Sequence, residues 1–218
     1  MATNEFGVFS TMAPGLYQSL MDAGFRRSGT IVYRPTCEGC RECVPIRVPV
    51  NAFSPSRSQR RVRRRNADVA VEISRPSLDD EKWRVYSAYQ NEQHDGKMGD
   101  DRADLEEFLY QSPTDTWEMT YRVAGRIVAV GIVDACPVSL SSVYFFFDPA
   151  EGRRSPGVFG AMEEIEECRR RGLAHWYIGY YVRECRQMSY KAQFRPCELL
   201  GPDGVWRRMG ESPRSRPT

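Results

Sequence analysis

The chain has 218 residues, of which 41% are hydrophobic and 28% charged, with a formal net charge of +2. This composition describes an ordinary soluble protein long enough to bury a substantial core. There is no apolar run near twenty residues and no basic-then-apolar N-terminus, which excludes a transmembrane helix and a secretory signal peptide. We therefore expect a cytoplasmic protein without a membrane partner.

The first third of the chain predicts a short helix and two strands. Residues 14–23 have a helical pattern that Gly24 ends in the left-handed cap position. Residues 30–34 and 45–50 read as strands on either side of a cysteine-containing loop. We expect these elements to belong to a small N-terminal module over residues 1–75.

The loop between these two strands carries a cysteine cluster. Cys37, Cys40 and Cys43 have a Cys-x2-Cys-x2-Cys spacing that would let three thiolates meet at one metal ion. The total of seven cysteines is odd and accompanies no secretion signal, which favours metal binding or free thiols over a disulfide framework. A structural zinc site, an iron–sulfur cluster and no metal at all remain open.

An arginine-rich helix is predicted after the second strand. Ser54 followed by Pro55 is a favourable N-cap and first-turn pair, which predicts a helix over residues 55–65. Six arginines fall within nine positions with no acidic residue among them, so their charges repel unless a polyanion lies against them. A nucleic acid is therefore the favoured partner, with a solvated basic surface as the alternative. The cations that we expect to bind it are Arg57, Arg60, Arg61, Arg64 and Arg65.

The remaining sequence predicts an α+β domain over residues 76–206 and a flexible tail over 207–218, with fraying from Pro202 onward. Turn signals such as Ala124-Gly125 separate its elements. The predicted helices cover 78–93, 104–110 and 157–171, and the predicted strands cover 69–73, 116–123, 126–135, 139–147 and 174–182. This order resembles the GNAT acyltransferase fold, so we expect a GNAT-like domain behind the Cys-containing, Arg-rich module.

Longer motifs carry a more specific resemblance over about residues 20–206. They are similar to those of the bacterial aspartate/glutamate leucyltransferases, relatives of the eukaryotic arginyl-tRNA–protein transferases. The usual cysteine-bearing segment upstream of these motifs is not found before Cys37. The motifs are Gly24-Phe-Arg-Arg-Ser-Gly29, Tyr33-Arg-Pro35, Val44-Pro-Ile-Arg47, Ser58-Gln-Arg-Arg61, Arg65-Asn66, Ser141-Ser-Val-Tyr144, Phe147-Asp-Pro149, Ile178-Gly-Tyr-Tyr-Val-Arg-Glu-Cys185, Met188-Ser-Tyr-Lys-Ala192 and Phe194-Arg-Pro196.

The resemblance implies an enzyme that moves leucine from leucyl-tRNA to the N-terminal amine of proteins beginning with Asp or Glu, marking them for degradation. The aminoacyl ester is already activated, and an α-amine with a pKa of roughly 7.7 to 8.0 is partly neutral at cellular pH. We therefore expect no cofactor to be required for the chemistry. An arginyl-tRNA–protein transferase, an N-acetyltransferase that uses acetyl-coenzyme A and a noncatalytic tRNA-binding protein remain alternatives.

Four residues in the matching motifs are candidates for catalysis. Asp148 would orient or deprotonate the attacking amine, although Asp before Pro also commonly caps a turn. Tyr180 and Tyr181 point to opposite faces of a strand, so one should face the cleft and the other should pack inside. Lys191, together with Arg195 on the tRNA side, would hold a phosphate or the developing oxyanion.

Recognition of an acidic N-terminus needs a cation that can grip a carboxylate. The planar guanidinium of arginine does so through two parallel hydrogen bonds. Arg26, Arg27, Arg34 and Arg47 lie in the matching motifs, and we expect the acceptor-binding residue among them.

Overall fold

The computed structural model describes residues 3–94 and 101–211. The strands are β1 (Asn4–Val8), β2 (Arg26–Ser28), β3 (Ile31–Pro35), β4 (Val44–Pro49), β5 (Ala70–Ser74), β6 (Thr116–Val123), β7 (Arg126–Cys136), β8 (Ser139–Phe147), β9 (His175–Tyr181), β10 (Glu198–Leu200) and β11 (Trp206–Arg208). The α-helices are α1 (Pro14–Asp22), α2 (Arg57–Arg65), α3 (Asp80–His94), α4 (Arg102–Leu105), α5 (Pro156–Arg170) and α6 (Arg186–Ser189). Short 3₁₀ or π-helical segments lie at Val50–Ala52, Glu106–Tyr110, Pro149–Arg154 and Tyr190–Gln193.

Most of the described strands form one eight-stranded sheet in the order β11-β10-β4-β9-β8-β7-β6-β5. Neighbouring strands are antiparallel except for β8 and β9, which are parallel. Strands β4 and β5 of this sheet precede residue 75, and its other strands follow it. The sheet therefore spans the predicted boundary between the N-terminal module and the following domain. The α+β architecture expected from the sequence is confirmed.

Helices cover both faces of the sheet. Ile132 and Val133 are neighbours in β7 and point to opposite faces. Ile132 packs in a cluster with residues of α3, whereas Val133 packs in the main cluster with α5. Gly160 allows α5 to approach β8 closely, because a Cβ atom at this position would collide with the ring of Phe145.

A second, three-stranded sheet in the order β1-β3-β2 is formed by residues from the first third of the chain. Its middle strand β3 was expected, whereas β1 and β2 were not. Strand β2 has three residues between Gly24 and Gly29, both with positive φ, and is too short for an alternating pattern to emerge. This short strand nevertheless carries Arg26 and Arg27, two of the predicted site residues.

The arginine-rich helix begins later than predicted, at Arg57 after Ser56. Ser56 Oγ accepts a hydrogen bond from the backbone N–H of Gln59, and Gln59 Oε1 accepts one from the backbone N–H of Ser56. This reciprocal capping box needs an acceptor side chain three residues after the cap. A cap at Ser54 would place Arg57 there, and arginine has no acceptor to offer.

The expectation of a frayed chain from Pro202 is wrong for residues 206–208. These residues form β11, which pairs with β10 at the edge of the large sheet. Trp206 anchors this strand, because its indole Nε1 donates a hydrogen bond to Asp22 O at 3.0 Å and its ring meets Tyr177 edge-on. Residues 212–218 of the predicted tail lie outside the described residues.

Candidate active site between strands β8 and β9

The parallel strands β8 and β9 pair over only part of their length. Their register runs from Ser139 opposite His175 to Ser141 opposite Tyr177, although the strands continue to Phe147 and Tyr181. Two cavities are lined by residues beyond the point where pairing stops. Ser142 and Ile178 line both cavities, so these two side chains form a shared wall.

The first cavity, here called the helix-side cavity, has a volume of about 320 Å³ and lies against the N-terminal half of α5. Its walls are mainly apolar and include Phe145, Phe147 and Ala161. Glu164, which is 1% exposed, contributes a carboxyl group to these walls. A carboxyl group on the buried face of a helix is unusual, since such groups are seldom fully buried without a partner.

Glu164 is held by two donors. Its Oε2 accepts a hydrogen bond from the indole Nε1 of Trp176 at 2.7 Å, and its Oε1 accepts one from Ser142 Oγ at 3.3 Å. Burial raises the pKa of Glu164 to about 7, and the two hydrogen bonds oppose this shift. The carboxyl group can therefore take up or release a proton close to neutral pH.

The second cavity, here called the arginine-side cavity, has a volume of about 160 Å³ and is lined by Arg26, Tyr180 and Lys191. Arg26 is 4% exposed and lies over the rings of Tyr177 and Tyr180, at 5.1 and 5.6 Å from their centroids. Its guanidinium donates to the carbonyl oxygens of Met21, Phe25 and Gly179.

Arg26 is a buried cation without an anion. Among the described residues no carboxylate pairs with it, and its Nε has no hydrogen-bond partner. Burial lowers the pKa of this guanidinium from its usual value. Since an uncompensated buried charge is costly, the arrangement suits an anionic ligand that enters the cavity.

Lys191 lies beside Arg26, and its Nζ donates to the backbone oxygen of Tyr180 at 2.8 Å. Burial, and then the charge of Arg26, lowers the pKa of Lys191 to about 8. The hydroxyl of Tyr180 donates to Gly24 O at 2.9 Å, while Tyr181 packs against the main core cluster. Of the two tyrosines, it is therefore Tyr180 that faces the arginine-side cavity.

The other three candidate acceptor-binding arginines already have carboxylate partners. Arg27 donates from Nε and Nη2 to Asp134, both at 2.8 Å, with both side chains fully buried. Arg47 pairs with Glu198 and Asp22, and Arg34 forms an exposed pair with Glu5. The structure thus distinguishes Arg26 from residues that the sequence could not rank.

Asp148 lies at the end of β8 and lines neither of the two cavities. Its Oδ1 accepts a hydrogen bond from Ala150 N at 3.0 Å, and its Oδ2 pairs with Arg126. These contacts cap the turn after β8. Turn capping is the role that the sequence analysis gave as the alternative to catalysis for Asp148.

The predicted tRNA-binding arginines of α2 are exposed to solvent. Helix α2 lies beside the loop that leads into α5, because Arg65 Nη1 donates to Arg153 O and Asn66 Nδ2 donates to Arg154 O. Its positive charge therefore adjoins the loop that lines the helix-side cavity. Arg195 is also exposed, and its Nε donates to Ala192 O at 3.2 Å.

The possible metal site at the three clustered cysteines, which the sequence left open, is not assembled among the described residues. Cys37, Cys40 and Cys43 are free thiols in an open loop, and Thr3 N donates to Cys37 Sγ at 3.4 Å. This hydrogen bond is the main cause that lowers the pKa of Cys37. Within residues 3–94 and 101–211, no three His, Cys, Asp or Glu side chains are grouped so that they could hold a metal ion. The described residues therefore do not fit a zinc or iron–sulfur site.

Two residues of the candidate site, Glu164 and Ser142, were not among the site residues predicted from the sequence. Glu164 carried a signal, since it interrupts the buried side of α5 among Phe159, Ala161 and Ile165. Ser142 lies in Ser141-Ser-Val-Tyr144, which is among the matching motifs, but its place in the cavity wall depends on a bulge. Ile132 of β7 faces Tyr144 and Val133 faces Ser142, so Val143 between them has no partner.

Two family models match the chain. The model described as arginine-tRNA-protein transferase, N terminus, matches residues 3–61, and the model of the C terminus matches residues 81–201. No helix in the described part of the chain is long and apolar enough to cross a bilayer.

Known proteins extend this likeness. Proteins named aspartate/glutamate leucyltransferase from Marinobacter nauticus and Chromobacterium violaceum are 42% and 38% identical to this chain. The alignments cover 89% and 90% of this chain and 82% of each relative. Among solved structures, FemX has a TM-score of 0.53 at 9% identity, over 82% of this chain and 64% of its own. A C-terminal DUF2156 domain from Agrobacterium fabrum has a TM-score of 0.52 at 16% identity, over 83% of this chain and 55% of its own.

The structural likeness confirms the predicted GNAT-like fold, and the sequence matches confirm the resemblance seen in the motifs. The chain belongs to the arginine-tRNA-protein transferase family and, within it, to the bacterial aspartate/glutamate leucyltransferases.

Proposed function

We propose that the protein transfers leucine from leucyl-tRNA to the N-terminal amine of proteins that begin with Asp or Glu, which marks them for degradation. The observation that carries this proposal is the pair of cavities that meet at Ser142 and Ile178. A transfer between two large substrates needs two separate binding sites whose reactive ends come together. The shared wall is the place where the amine would meet the ester.

The helix-side cavity is the proposed site of the donor. Its aromatic and aliphatic walls, including Phe145, Phe147 and Ile178, suit a leucyl side chain and a stacked adenosine. An arginyl side chain would need a fully ionised carboxylate, whereas burial raises the pKa of Glu164 to about 7 and each of its oxygens already accepts a hydrogen bond. The exposed arginines of α2 would hold phosphates of the acceptor stem beside this cavity.

The arginine-side cavity is the proposed site of the acceptor. Arg26 would pair with the side-chain carboxylate of the first residue, which supplies the anion that this buried guanidinium lacks. Lys191 would stabilise the oxyanion that develops as the amine attacks the ester carbonyl. The ester is already activated, so the proposed reaction proceeds without a covalent enzyme intermediate or a cofactor. Leucyl-tRNA as the donor supports a cytoplasmic location.

The proposal is tested by a matrix of donors and acceptors. The purified protein is incubated with leucyl-tRNA, arginyl-tRNA or acetyl-coenzyme A together with peptides that begin with Asp, Glu or Ala, and the products are weighed by mass spectrometry. We expect one added leucine on the Asp and Glu peptides and none on the Ala peptide. An added arginine or acetyl group would replace the proposal with the corresponding transferase. If tRNA binds but no peptide is modified, the protein is a noncatalytic binder.

A further inference from the structure

We propose that Ser142 and Glu164 form the proton path of the transfer, carrying a proton from the attacking amine to the departing ribose oxygen. This inference rests on the proposed function. It assigns the proton transfer, which the two proposed substrate sites do not explain. Forming an amide from a neutral amine and an ester moves one proton from nitrogen to oxygen. A protein group that reaches both sides can carry it.

The placement of the two side chains matches this task. Ser142 lies in the wall between the cavities, and Glu164 lines only the helix-side cavity, where the donor is proposed to bind. Ser142 Oγ donates to Glu164 Oε1 at 3.3 Å, which links the meeting point to the donor side. The hydrogen bond from Trp176 fixes the other carboxylate oxygen and so holds the orientation of Glu164.

The step balances without any further reactant. The amine nitrogen bonds to the ester carbon, and the Ser142 hydroxyl accepts a proton from that nitrogen while it gives its own proton to the Glu164 carboxylate. The bond between the carbonyl carbon and the ribose oxygen then breaks. Protonated Glu164 gives its proton to this oxygen, which leaves as a hydroxyl. Both side chains return to their starting states.

Compared with the titratable groups packed around it, Glu164 is the one whose pKa lies near 7. The titratable groups that face it are Tyr121 of β6, Tyr190 of the 3₁₀ segment after α6 and Cys168 one turn along α5. Burial raises the pKa of all three, so that they remain neutral around pH 7. Among the described residues no Lys or Arg pairs with Glu164. A group with a pKa of about 7 can act as a base and then as an acid at this pH.

The test uses Glu164→Gln in the full-length protein, with Ser142→Ala as a second, independent variant. Glutamine keeps the acceptor for Trp176 and nearly the same volume but cannot take up a proton. We expect each variant to lower kcat about 100-fold with leucyl-tRNA and an Asp peptide, because general acid–base catalysis contributes on the order of 10²- to 10⁴-fold. The matched control is Glu163→Gln on the neighbouring position of the same helix, where Glu163 faces Arg63 at 3.6 Å.

The pH dependence separates a proton carrier from a structural carboxyl group. The ratio of the wild-type rate to the Glu164→Gln rate cancels every titration that the two proteins share, including those of the amine and of Lys191. Because the carboxylate form becomes dominant as the pH rises through about 7, we expect this ratio to grow about tenfold between pH 6 and pH 8.

A ratio that stays constant with pH, or a kcat equal to that of the wild type in either variant, overturns the proton path while leucine transfer by the wild type stands. Failure of the wild type itself to transfer leucine overturns the proposed function and the proton path together. Thermal unfolding of each variant shows that a lost rate belongs to a folded protein.

Discussion

Arg26 and Arg27 are buried in β2, whereas the arginines of α2 face solvent. An exposed guanidinium keeps its hydration and attracts a polyanion over a distance, with little demand on geometry. A buried guanidinium has lost its hydration and needs a partner in contact. Arg27 finds that partner within the chain in Asp134, and Arg26 does not. Exposed charge thus suits attraction of RNA, and the buried charge of Arg26, which has no carboxylate partner among the described residues, suits selection of the acceptor.

The largest effect is expected from breaking the buried ion pair of Arg27 and Asp134. Replacing Arg27 by Leu leaves Asp134 as an uncompensated buried charge, and breaking such a pair costs about 3 to 5 kcal/mol. We expect the melting temperature to fall by roughly 10 °C, measured by calorimetry, for a chain of this length. The double variant Arg27→Leu with Asp134→Leu should recover part of the loss. An unchanged melting temperature in the single variant would show that this pair is not structural.

A smaller effect, confined to activity, is expected at the neighbouring position. Arg26→Lys keeps the charge but loses the planar fork, which removes a charge-assisted hydrogen bond worth about 1.5 to 3 kcal/mol. We expect kcat/KM for the Asp peptide to fall about 10- to 100-fold, and the preference for Asp over Ala peptides to narrow. Arg34→Lys is the matched control, since Arg34 pairs with Glu5 at the surface. Equal kcat/KM values for wild type and Arg26→Lys would remove Arg26 from acceptor recognition.

The smallest effect is expected on the exposed helix. The triple variant that converts Arg57, Arg61 and Arg64 to Gln should weaken leucyl-tRNA binding about tenfold, since each exposed ion pair contributes on the order of 0.2 to 1 kcal/mol. The slope of log Kd against log salt should also decrease by about 2 to 3.

The matched control for this triple variant changes three exposed arginines elsewhere, Arg75, Arg84 and Arg102, to Gln. It has the same net charge, so an equal loss of tRNA affinity would show that total charge matters and the position of α2 does not. Filter binding or fluorescence anisotropy at several salt concentrations measures both quantities.

The arginines proposed to bind nucleic acid can be picked out from the sequence alone, whereas the choice among the proposed acceptor-binding arginines depends on the fold. The density of arginines in residues 57–65 is a local property, visible without the fold. Arg26 and Arg27 were both candidates, but their difference depends on Asp134, which lies 107 residues from Arg27 in the chain. No local pattern reveals such a partner, because the pairing exists only once β7 lies beside the first third of the chain.

The strength of the local sequence pattern also explains which strands could be predicted and which could not. Long strands such as β6 to β8 can be recognised by their runs of apolar and β-branched residues and by the turn residues between them. The three-residue strands β2 and β11 pair with the strands next to them in the chain, β3 and β10, but three residues are too few to show an alternating pattern. Glu164 could have been noticed as an acid on an apolar helix face, but its role depends on where β8 and β9 stop pairing.

The position of β4 affects how the protein folds as it is synthesised. This strand emerges early from the ribosome, yet it lies between β9 and β10, which emerge near the end. Arg47 and Glu198, which pair across β4 and β10, are 151 residues apart, so at ordinary translation rates β4 waits on the order of ten seconds for these neighbours. During that interval its edges can pair with other chains. Nascent-chain chaperones therefore have a defined segment to protect.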